Sequence, residues 1–334
     1  MKKNIKILIT GSSGYIGKCL SGYLEKKFIV YGIDKNEISN NNKKKFKINL
    51  LDYKKTFLSI RKIQPDIIIH LAGQSTIDNI RNKIDYKKNN VLATEILMRV
   101  CHKLNIDKII FSSTAAVYKS SNKLLTENSK ILPNNIYGKT KYDCEKLIHK
   151  YFKKKYFIIF RFFNVCSSMH PEKNGENHKP ETHLIPLIFS KFFNNKIIKI
   201  YGNNFSTKDG HCIRDYIHIK DIVSAIDLGI KNLFSKNKEC MTFNLGTGSG
   251  YSVLDIINYS KIFFKKKGYT NRLKFTYEKN RKGDPAKLVC ALSKNALSKL
   301  NWYPKFTNLN KIFNDEFEWR KFIIKKRLKT ETIY

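Results

Sequence analysis

The chain has 334 residues, 42% of them hydrophobic and 13% aromatic, and carries 64 Lys and Arg against 27 Asp and Glu for a formal charge of +37. So apolar and aromatic a chain can bury enough surface to offset its ordering entropy, which excludes an intrinsically disordered protein. No run approaches the ~18 consecutive apolar residues of a membrane helix, and the length suits one large α/β unit or two interlocked ones, since single cores stop growing at roughly 250–300 residues.

In chain order, the N-terminal Met1-Lys2-Lys3-Asn4 followed by Ile5 to Thr10 has the outline of a secretion signal. Its apolar run is broken by Lys6 and ends at once in a glycine loop, so it reads as a first strand. Further strands are expected near Phe28–Asp34, Lys45–Asn49, Asp66–Ala72, Lys108–Ser112 and Phe157–Phe163. Amphipathic helices are expected between them, near Tyr15–Lys27, Lys54–Ile63, Tyr86–Leu104 and Asn135–Lys154. Short β-branched runs alternating with longer amphipathic ones are the pattern of βαβ units, so the expected fold is α/β, a Rossmann-type doubly wound parallel sheet. After Met169 the texture turns polar and Pro-containing, from His170-Pro171 to Lys179-Pro180. A smaller α+β lobe is expected from there: residues 1–169 form a cofactor domain and 170–334 mainly a substrate lobe, with a segment at about 214–246 returning to the first domain. The longest tracts expected to be disordered are the Asn- and Lys-rich loop Ser39–Lys45 and the basic tail after Trp319.

Seven cysteines (Cys19, Cys101, Cys144, Cys166, Cys212, Cys240, Cys290) are odd in number, scattered and never in a C-x-x-C pair. That spacing predicts neither a disulfide framework nor a metal site, and a reduced, cytoplasmic protein is expected. The charge invites a nucleic-acid reading, because clustered Lys and Arg release counterions from phosphate backbones. Only nine of the 64 basic residues are Arg, the side chain that grips phosphates and guanine edges bidentately. The lysines are spread over almost every loop and helix and accompany abundant Asn and Ile, as an A/T-rich gene would write them. No specific nucleic-acid partner is expected.

The first strand runs into Thr10-Gly11-Ser12-Ser13-Gly14-Tyr15-Ile16-Gly17, a G-x-x-G-x-x-G loop opening onto a helix. Glycines there permit the tight turn and the approach of backbone to a pyrophosphate, while the helix N-terminus faces the anion. Asp34 closes the next strand, 17 residues beyond Gly17. A carboxylate at that place accepts hydrogen bonds from ribose hydroxyls and repels a 2′-phosphate, which favours NAD over NADP. Downstream, Tyr137 and Lys141 stand one helical turn apart in Tyr137-Gly138-Lys139-Thr140-Lys141. A phenol is a poor base at its ordinary pKa of about 10, but a nearby ammonium and a cationic nicotinamide both favour the phenolate. Thr114 ends Phe111-Ser112-Ser113-Thr114 at the carboxyl edge of the sheet, where the crevice of an open α/β fold lies, and can orient a reacting hydroxyl.

With these motifs the chain resembles the extended short-chain dehydrogenase/reductases of the NAD-dependent epimerase/dehydratase family over essentially its whole length, and within them the UDP-glucose 4-epimerases. The more specific segments are Gly175-Glu176-Asn177-His178-Lys179-Pro180-Glu181-Thr182-His183-Leu184-Ile185-Pro186, Asp209-Gly210-His211-Cys212-Ile213-Arg214-Asp215-Tyr216-Ile217-His218 and Gly283-Asp284-Pro285-Ala286. The resemblance implies an isomerase that interconverts UDP-galactose and UDP-glucose by oxidation at C4 to a 4-keto sugar and re-reduction on the other face, with tightly held NAD, as part of galactose metabolism. It implies Tyr137 as general base, Lys141 as holder of the nicotinamide ribose that also lowers the phenol's pKa, and Thr114 as orienting group. Cofactor contacts are implied at Gly11, Gly14, Tyr15, Ile16, Gly17, Asp34, Leu51, Leu71, Ala72, Gly73, Asn90, Tyr137, Lys141 and Phe163. Substrate contacts are implied at Thr114, Asn164, His183, Leu184, Lys199, Tyr201, Arg214, Arg281, Asp284 and Leu288, with Arg214 on the diphosphate and Lys199-Ile200-Tyr201 along the uracil.

Dehydratases of the same family carry acids directly after the Ser/Thr of the fifth strand, where this chain has Ala115 and Ala116. Alanine neither donates nor accepts a side-chain proton, so elimination of water lacks its acid and base. Three departures from the epimerase pattern stand out: Leu50 replaces an adenine-contacting Asp, Ser75 replaces a cofactor-contacting Lys, and Leu288 is intermediate at a position whose bulk tracks with acceptance of an N-acetyl sugar. Epimerases of UDP-GlcNAc/GalNAc or of UDP-hexuronates remain open, the latter needing an extra basic group near C6 that the sequence does not assign to His183 or Lys179, whereas a nucleic-acid-binding or catalytically silent basic protein is disfavoured because Tyr137, Lys141, Thr114 and the glycine loop are all intact. Family members usually pair through two helices of the cofactor domain, which implies a homodimer through Tyr86–Leu104 and Asn135–Lys154.

Overall fold

The computed structural model describes residues 4–36, 44–75, 86–178, 180–236, 239–270, 273–281 and 283–331, with side chains of the last helix to Lys326. Most of the expected loop Ser39–Lys45 and the residue Lys179 lie outside the described residues.

All six expected strands form, at β1 (Lys6–Thr10), β2 (Ile29–Asp34), β3 (Lys45–Lys47), β4 (Ile67–His70), β5 (Lys108–Thr114) and β6 (Tyr156–Phe162). A seventh, β12 (Met241–Leu245), returns from the second half of the chain to complete a parallel sheet in the order β12-β6-β5-β4-β1-β2-β3. Ile67, Ile68 and Ile69 have no exposed surface at all, as expected of a strand covered on both faces, whose sequence need not alternate. On one face the helices α1 (Tyr15–Leu24) and α6 (Ile219–Leu233) bury Leu20, Leu24, Ile222, Ile226 and Ile230. On the other, α2 (Tyr53–Ile63), α3 (Ala93–Lys103) and α4 (Ile136–Tyr151) bury Ile60, Leu97, Cys101 and Ile148. The chain leaves β1 toward β2 on one side and, after β4, continues toward β5 on the other, so the sheet's switch point lies between β1 and β4. There Thr10 pairs in register with His70.

The remaining elements are smaller. Strands β7 (Asn164–Cys166) and β15 (Lys287–Leu288) pair in parallel, and β13 (Gly250–Ser252) antiparallel, with β11 (Ile213–His218). β8 (Ser168–His170) and β9 (Asn174–Gly175) form a hairpin, and β10 (Ile198–Tyr201) pairs with β14 (Phe275–Glu278). The helices α5 (Leu184–Phe193), α7 (Val253–Lys266) and α9 (Leu309–Glu331) enclose a third core of Phe189, Phe192, Phe263, Phe264, Phe313 and Phe317. α8 (Lys294–Leu300) instead joins the first core through Ala296 and Leu300.

Two expectations need correction. The basic tail after Trp319 is helical to Glu331 because Phe317, Trp319 and Arg320 face inward and anchor α9. The helix expected from Tyr86 starts with a π-helical turn, Lys87–Leu92, before the α-helix begins at Ala93.

Candidate active site

The glycine loop closes against the switch point. Gly11 has φ +74°, and a Cβ there would stand 2.7 Å from the Ala72 backbone nitrogen, so only glycine allows the two strand ends to approach this closely. A Cβ on Gly17 would lie 2.1 Å from the Gly11 carbonyl oxygen, which makes the third glycine a helix-packing residue. Gly14 is the N-cap of α1, with no side chain capping it and no acidic residue in the first turn. The first N–H groups of that helix, from Tyr15 and Ile16 onward, are thus left to an anion, which a dinucleotide's pyrophosphate can supply. Asp34, almost fully buried, accepts from the backbone nitrogens of Ser13 and Asn36, both at 2.9 Å. These bonds fix its carboxylate beside the loop. Leu51, Leu71 and Ala72 are half-buried, lining the same end of the sheet.

Tyr137 comes to Thr114 through a close seat. A Cβ on Gly138 would fall 2.1 Å from the Ala116 carbonyl oxygen, so the first turn of α4 rests directly on the turn that follows β5. Thr114 Oγ1 accepts from the Ala116 nitrogen at 3.1 Å, and Asn135 caps α4 by accepting from Gly138 at 2.8 Å. Burial pushes the Tyr137 phenol up to about 12, while its hydrogen bond with Thr114 pulls the other way. Lys141 is buried, its Nζ 4.3 Å from the Phe111 ring centroid, and desolvation brings it down to about 8. The Lys141 Nζ lies 3.8 Å from where a Cβ on Gly73 would be, beside Asn90. Thr114 is thus one neighbour whose hydrogen bond favours the phenolate.

Asn90 sits in the π-helical turn, accepts from the Gln74 nitrogen at 2.7 Å and donates to Gln74 O at 3.2 Å and Thr140 Oγ1 at 3.1 Å. A π turn rotates one side chain out of register with the α-helix that follows, and here it aims Asn90 at the loop after β4. Two buried networks hold the site and carry no sequence motif. Thr10 Oγ1 lies 2.7 Å from His70 Nδ1, and His70 Nε2 2.9 Å from Thr94 Oγ1. Burial and then Lys141 bring His70 down to about 3, so it stays neutral. In the second network Arg161 grips Glu145 through Nε at 3.0 Å and Nη2 at 2.7 Å, donates to Tyr118 at 2.8 Å, and Ser113 donates to the same carboxylate. It ties α4 to β5 and β6, of which the first two carry Tyr137 and Thr114 and the third leads directly into Phe163. Only an i to i+16 relation between Glu145 and Arg161 links the pair in sequence, which no periodicity reveals.

The second half brings its own residues to this edge. Asn164 opens β7, and Phe163 packs with Leu288, Cys290 and Val117 in a small buried cluster. Arg214 is in register with Leu288, pairs with Asp284 and donates to Ile213 O at 2.9 Å. Gly283 (φ +79°) would place a Cβ 2.5 Å from the Asn134 carbonyl oxygen, so the loop bearing Arg281 and Asp284 lies against the start of α4. Arg281 stacks 3.9 Å over the Tyr201 ring, and Lys199, exposed, pairs with Glu278 at 3.0 Å on the face of β10 opposite Ile198 and Ile200. His183 is the N-cap of α5 and Leu184 its first residue. Burial would raise the Glu176 carboxyl, but the imidazoles of His183 and His178 hold it down at about 2.

Residues 7–246 match the model of the NAD dependent epimerase/dehydratase family. The chain belongs to this family. It is 32% identical over 331 residues to a UDP-glucose 4-epimerase of Halalkalibacterium halodurans, covering 94% of this chain and 95% of that one. To the UDP-glucose 4-epimerase of Mycoplasma genitalium it is 34% identical over 331 residues, covering 93% and 95%. A crystal structure of a UDP-glucose 4-epimerase superposes with a TM-score of 0.85 at 32% identity, covering 95% of this chain and 97% of that one. The Bifidobacterium longum UDP-glucose 4-epimerase, solved in complex with NAD+ and UDP, also gives 0.85, at 25% identity and covering 95% and 98%.

Against the family pattern, Leu50 is buried in the core beneath α2, so it offers no polar contact, and the neighbouring Asp52 serves instead as N-cap of α2. Ser75 is exposed at the end of the described loop. Ala115 is buried in the short turn after Thr114, and neither it nor Ala116 can replace the acid and base a dehydratase needs.

Proposed function

We propose that this chain interconverts UDP-glucose and UDP-galactose by oxidation and re-reduction at C4, with NAD held between the glycine loop, Asp34, Asn90 and Lys141. The observation that carries this reading is the convergence of Tyr137 with Thr114 beside a turn that holds Ala115 and Ala116: a base for an alcohol, and no acid for elimination. The fit to the cofactor rests on the uncapped start of α1 and on the glycine positions a Cβ would block. When bound, NAD accepts a hydride from C4 and returns it, and its cationic ring favours the phenolate.

The remaining work falls to the chain's own groups. Tyr137 removes the proton of the C4 hydroxyl as the carbon is oxidised and gives it back when the 4-keto sugar is reduced on its other face. Thr114 orients that hydroxyl, Lys141 holds the nicotinamide ribose, and Phe163 closes the nicotinamide pocket. Arg214 neutralises the diphosphate of the sugar nucleotide, for which it must leave or share Asp284. Arg281, Tyr201 and Lys199 form the nucleoside wall, while Asn164, His183, Leu184 and Leu288 complete the sugar and phosphate pocket. The division into a cofactor part before about residue 170 and a sugar-nucleotide part after it belongs to the same reading.

Incubating the protein with UDP-galactose and no added NAD should give UDP-glucose. No product from protein that retains its NAD would remove the reading, and turnover confined to a UDP-hexuronate would redirect it. We further infer a cytoplasmic homodimer, paired through α3 and α4. No helix among the described residues is long and apolar enough to cross a membrane, and Leu92, just before α3, is an exposed large apolar side chain. Sedimentation of the loaded enzyme as a monomer would discard the pairing.

A further inference from the structure

The segment between the β8–β9 hairpin and α5 gathers Glu176, His178, Glu181 and His183, each offering one donor atom, all within 4.8 Å of one another. Glu176 is wholly buried. Its Oε1 faces His183 Nδ1, with His178 Nδ1 at 3.1 Å, and Glu181 Oε1 lies 3.8 Å from the same His178 nitrogen. One atom of this set is nevertheless left without a hydrogen bond: Glu176 Oε2 is buried and unpartnered. An orphaned carboxylate oxygen at a wholly buried residue is costly unless a cation completes it.

The surroundings set the charge. Arg320 reaches Glu181 Oε2 through Nη2 at 3.6 Å while its Nε holds Glu316 at 2.5 Å, and the backbone nitrogens of His178, Thr182 and His183 donate to the Glu181 carboxylate and fix its position. That leaves two carboxylates facing two imidazoles. The backbone is fixed independently, since Trp319 Nε1 and Arg320 Nη2 donate to the Glu176 carbonyl oxygen at 2.8 and 3.0 Å. Both carboxylates and both imidazole Nδ1 atoms therefore converge from a held loop.

We propose that Glu176, His178, Glu181 and His183 bind a divalent transition-metal ion, zinc by the donor set, in a closed structural site. Two imidazole nitrogens and two carboxylate oxygens suit a four-coordinate, borderline-soft ion better than magnesium or calcium, which prefer oxygen alone. Four protein ligands leave no open position for chemistry, so the ion acts by fastening the loop. It pins the start of α5, with His183 and Leu184, against α1, where the Tyr15 and His178 rings meet edge to face at 6.4 Å. The cysteines give no hint of such a site, and it does not depend on which sugar the enzyme turns over.

The test is zinc content of the full chain after reconstitution with zinc sulfate and desalting, measured by elemental mass spectrometry. A single zinc per chain is expected, lost in the double variant His178→Asn, Glu181→Gln, whose fold is checked by far-UV circular dichroism. Retention of the same zinc by that variant, or none in the wild type, overturns the proposal. Cobalt substitution of the wild type decides the matter if the variant misfolds: visible bands of a four-coordinate nitrogen and oxygen site support it, and a thiolate charge-transfer band or no binding refutes it.

Discussion

The two halves of the molecule hold their functional side chains differently. Tyr137, Lys141 and Thr114 project from elements of a single seven-stranded sheet and its helices, and behind them buried polar networks are satisfied from several sides: Asn90 by Gln74 and Thr140, Glu145 by Arg161 and Ser113. Arg214, buried on β11, pairs with Asp284 of a loop, and Arg281 stacks on Tyr201 at the end of β10, so each of these groups has one main side-chain partner. A proton transfer needs a fixed geometry, whereas a ligand's diphosphate can replace an internal partner as it enters. On the proposed function, the first half uses its rigidity for chemistry, and the second keeps ion pairs that a substrate can exchange.

The comparison is broken most severely by removing the chemistry itself. Tyr137→Phe deletes the proposed proton acceptor while keeping the ring in its seat, and positioned acid–base groups contribute typically 10²–10⁴-fold. A drop in kcat of about that size is expected, with retained fold and NAD absorbance; near-normal turnover would mean that another group takes the proton. Next comes the scaffold. Glu145→Ala leaves the Arg161 guanidinium buried without its carboxylate, and breaking a buried pair this way costs about 3–5 kcal/mol. Urea denaturation should register that loss, and a change under about 1 kcal/mol would show that Tyr118 and solvent satisfy the arginine.

The second half should respond in binding more than in turnover. Arg214→Ala removes a charged hydrogen-bonding group, worth about 1.5–3 kcal/mol, so KM for UDP-galactose should rise roughly 10- to 100-fold by the tenfold-per-1.4 kcal/mol rule, with kcat little changed. An equal fall in kcat with KM unchanged would place Arg214 among the transition-state contacts and erase the contrast between the halves.

What could be read from the chain follows the same division. The glycine loop, the strand-ending Asp34 and the Tyr137/Lys141 turn are local, set by turn chemistry or a single helical turn, and the structure brings them to one crevice. The scaffold behind them is not local: His70 meets Thr10 across 60 residues, and Glu145 meets Arg161 from helix to strand. Strands β13 and β15 have three and two residues, too few for any alternation to show, and exist because β11 offers them an edge. The polar stretch from Asn177 to His183 has the composition of a surface loop, yet Glu176 beside it is wholly buried. Nor does composition reveal that the basic tail continues as helix, since its anchors are a few apolar residues among lysines.

The smallest effect tests whether the cofactor half really holds Lys141 dry. Burial brings this ammonium from its ordinary 10.5 down to about 8. Between those values the unfolded chain keeps a proton that the folded chain has released, so the unfolding free energy should climb with pH, by at most about 1.4 kcal/mol per pH unit. Below about pH 8 both states carry the proton and this contribution to the slope vanishes; above 10.5 both have lost it. Denaturation of the NAD-free protein at pH 8 to 10 should therefore show a rising component that Lys141→Met removes. The Tyr137 phenol, pushed up to about 12, acts in the opposite sense above its ordinary pKa of 10, and His178, raised to about 10, and the buried thiols of Cys19 and Cys101, raised to about 12, oppose the lysine within the window, so the difference between wild type and Lys141→Met, rather than the wild-type slope alone, isolates the lysine. A variant whose stability runs parallel to wild type across that window would mean that water reaches the Lys141 ammonium before the cofactor does, and that the crevice beneath Asn90 and Phe111 is wetter than its packing implies.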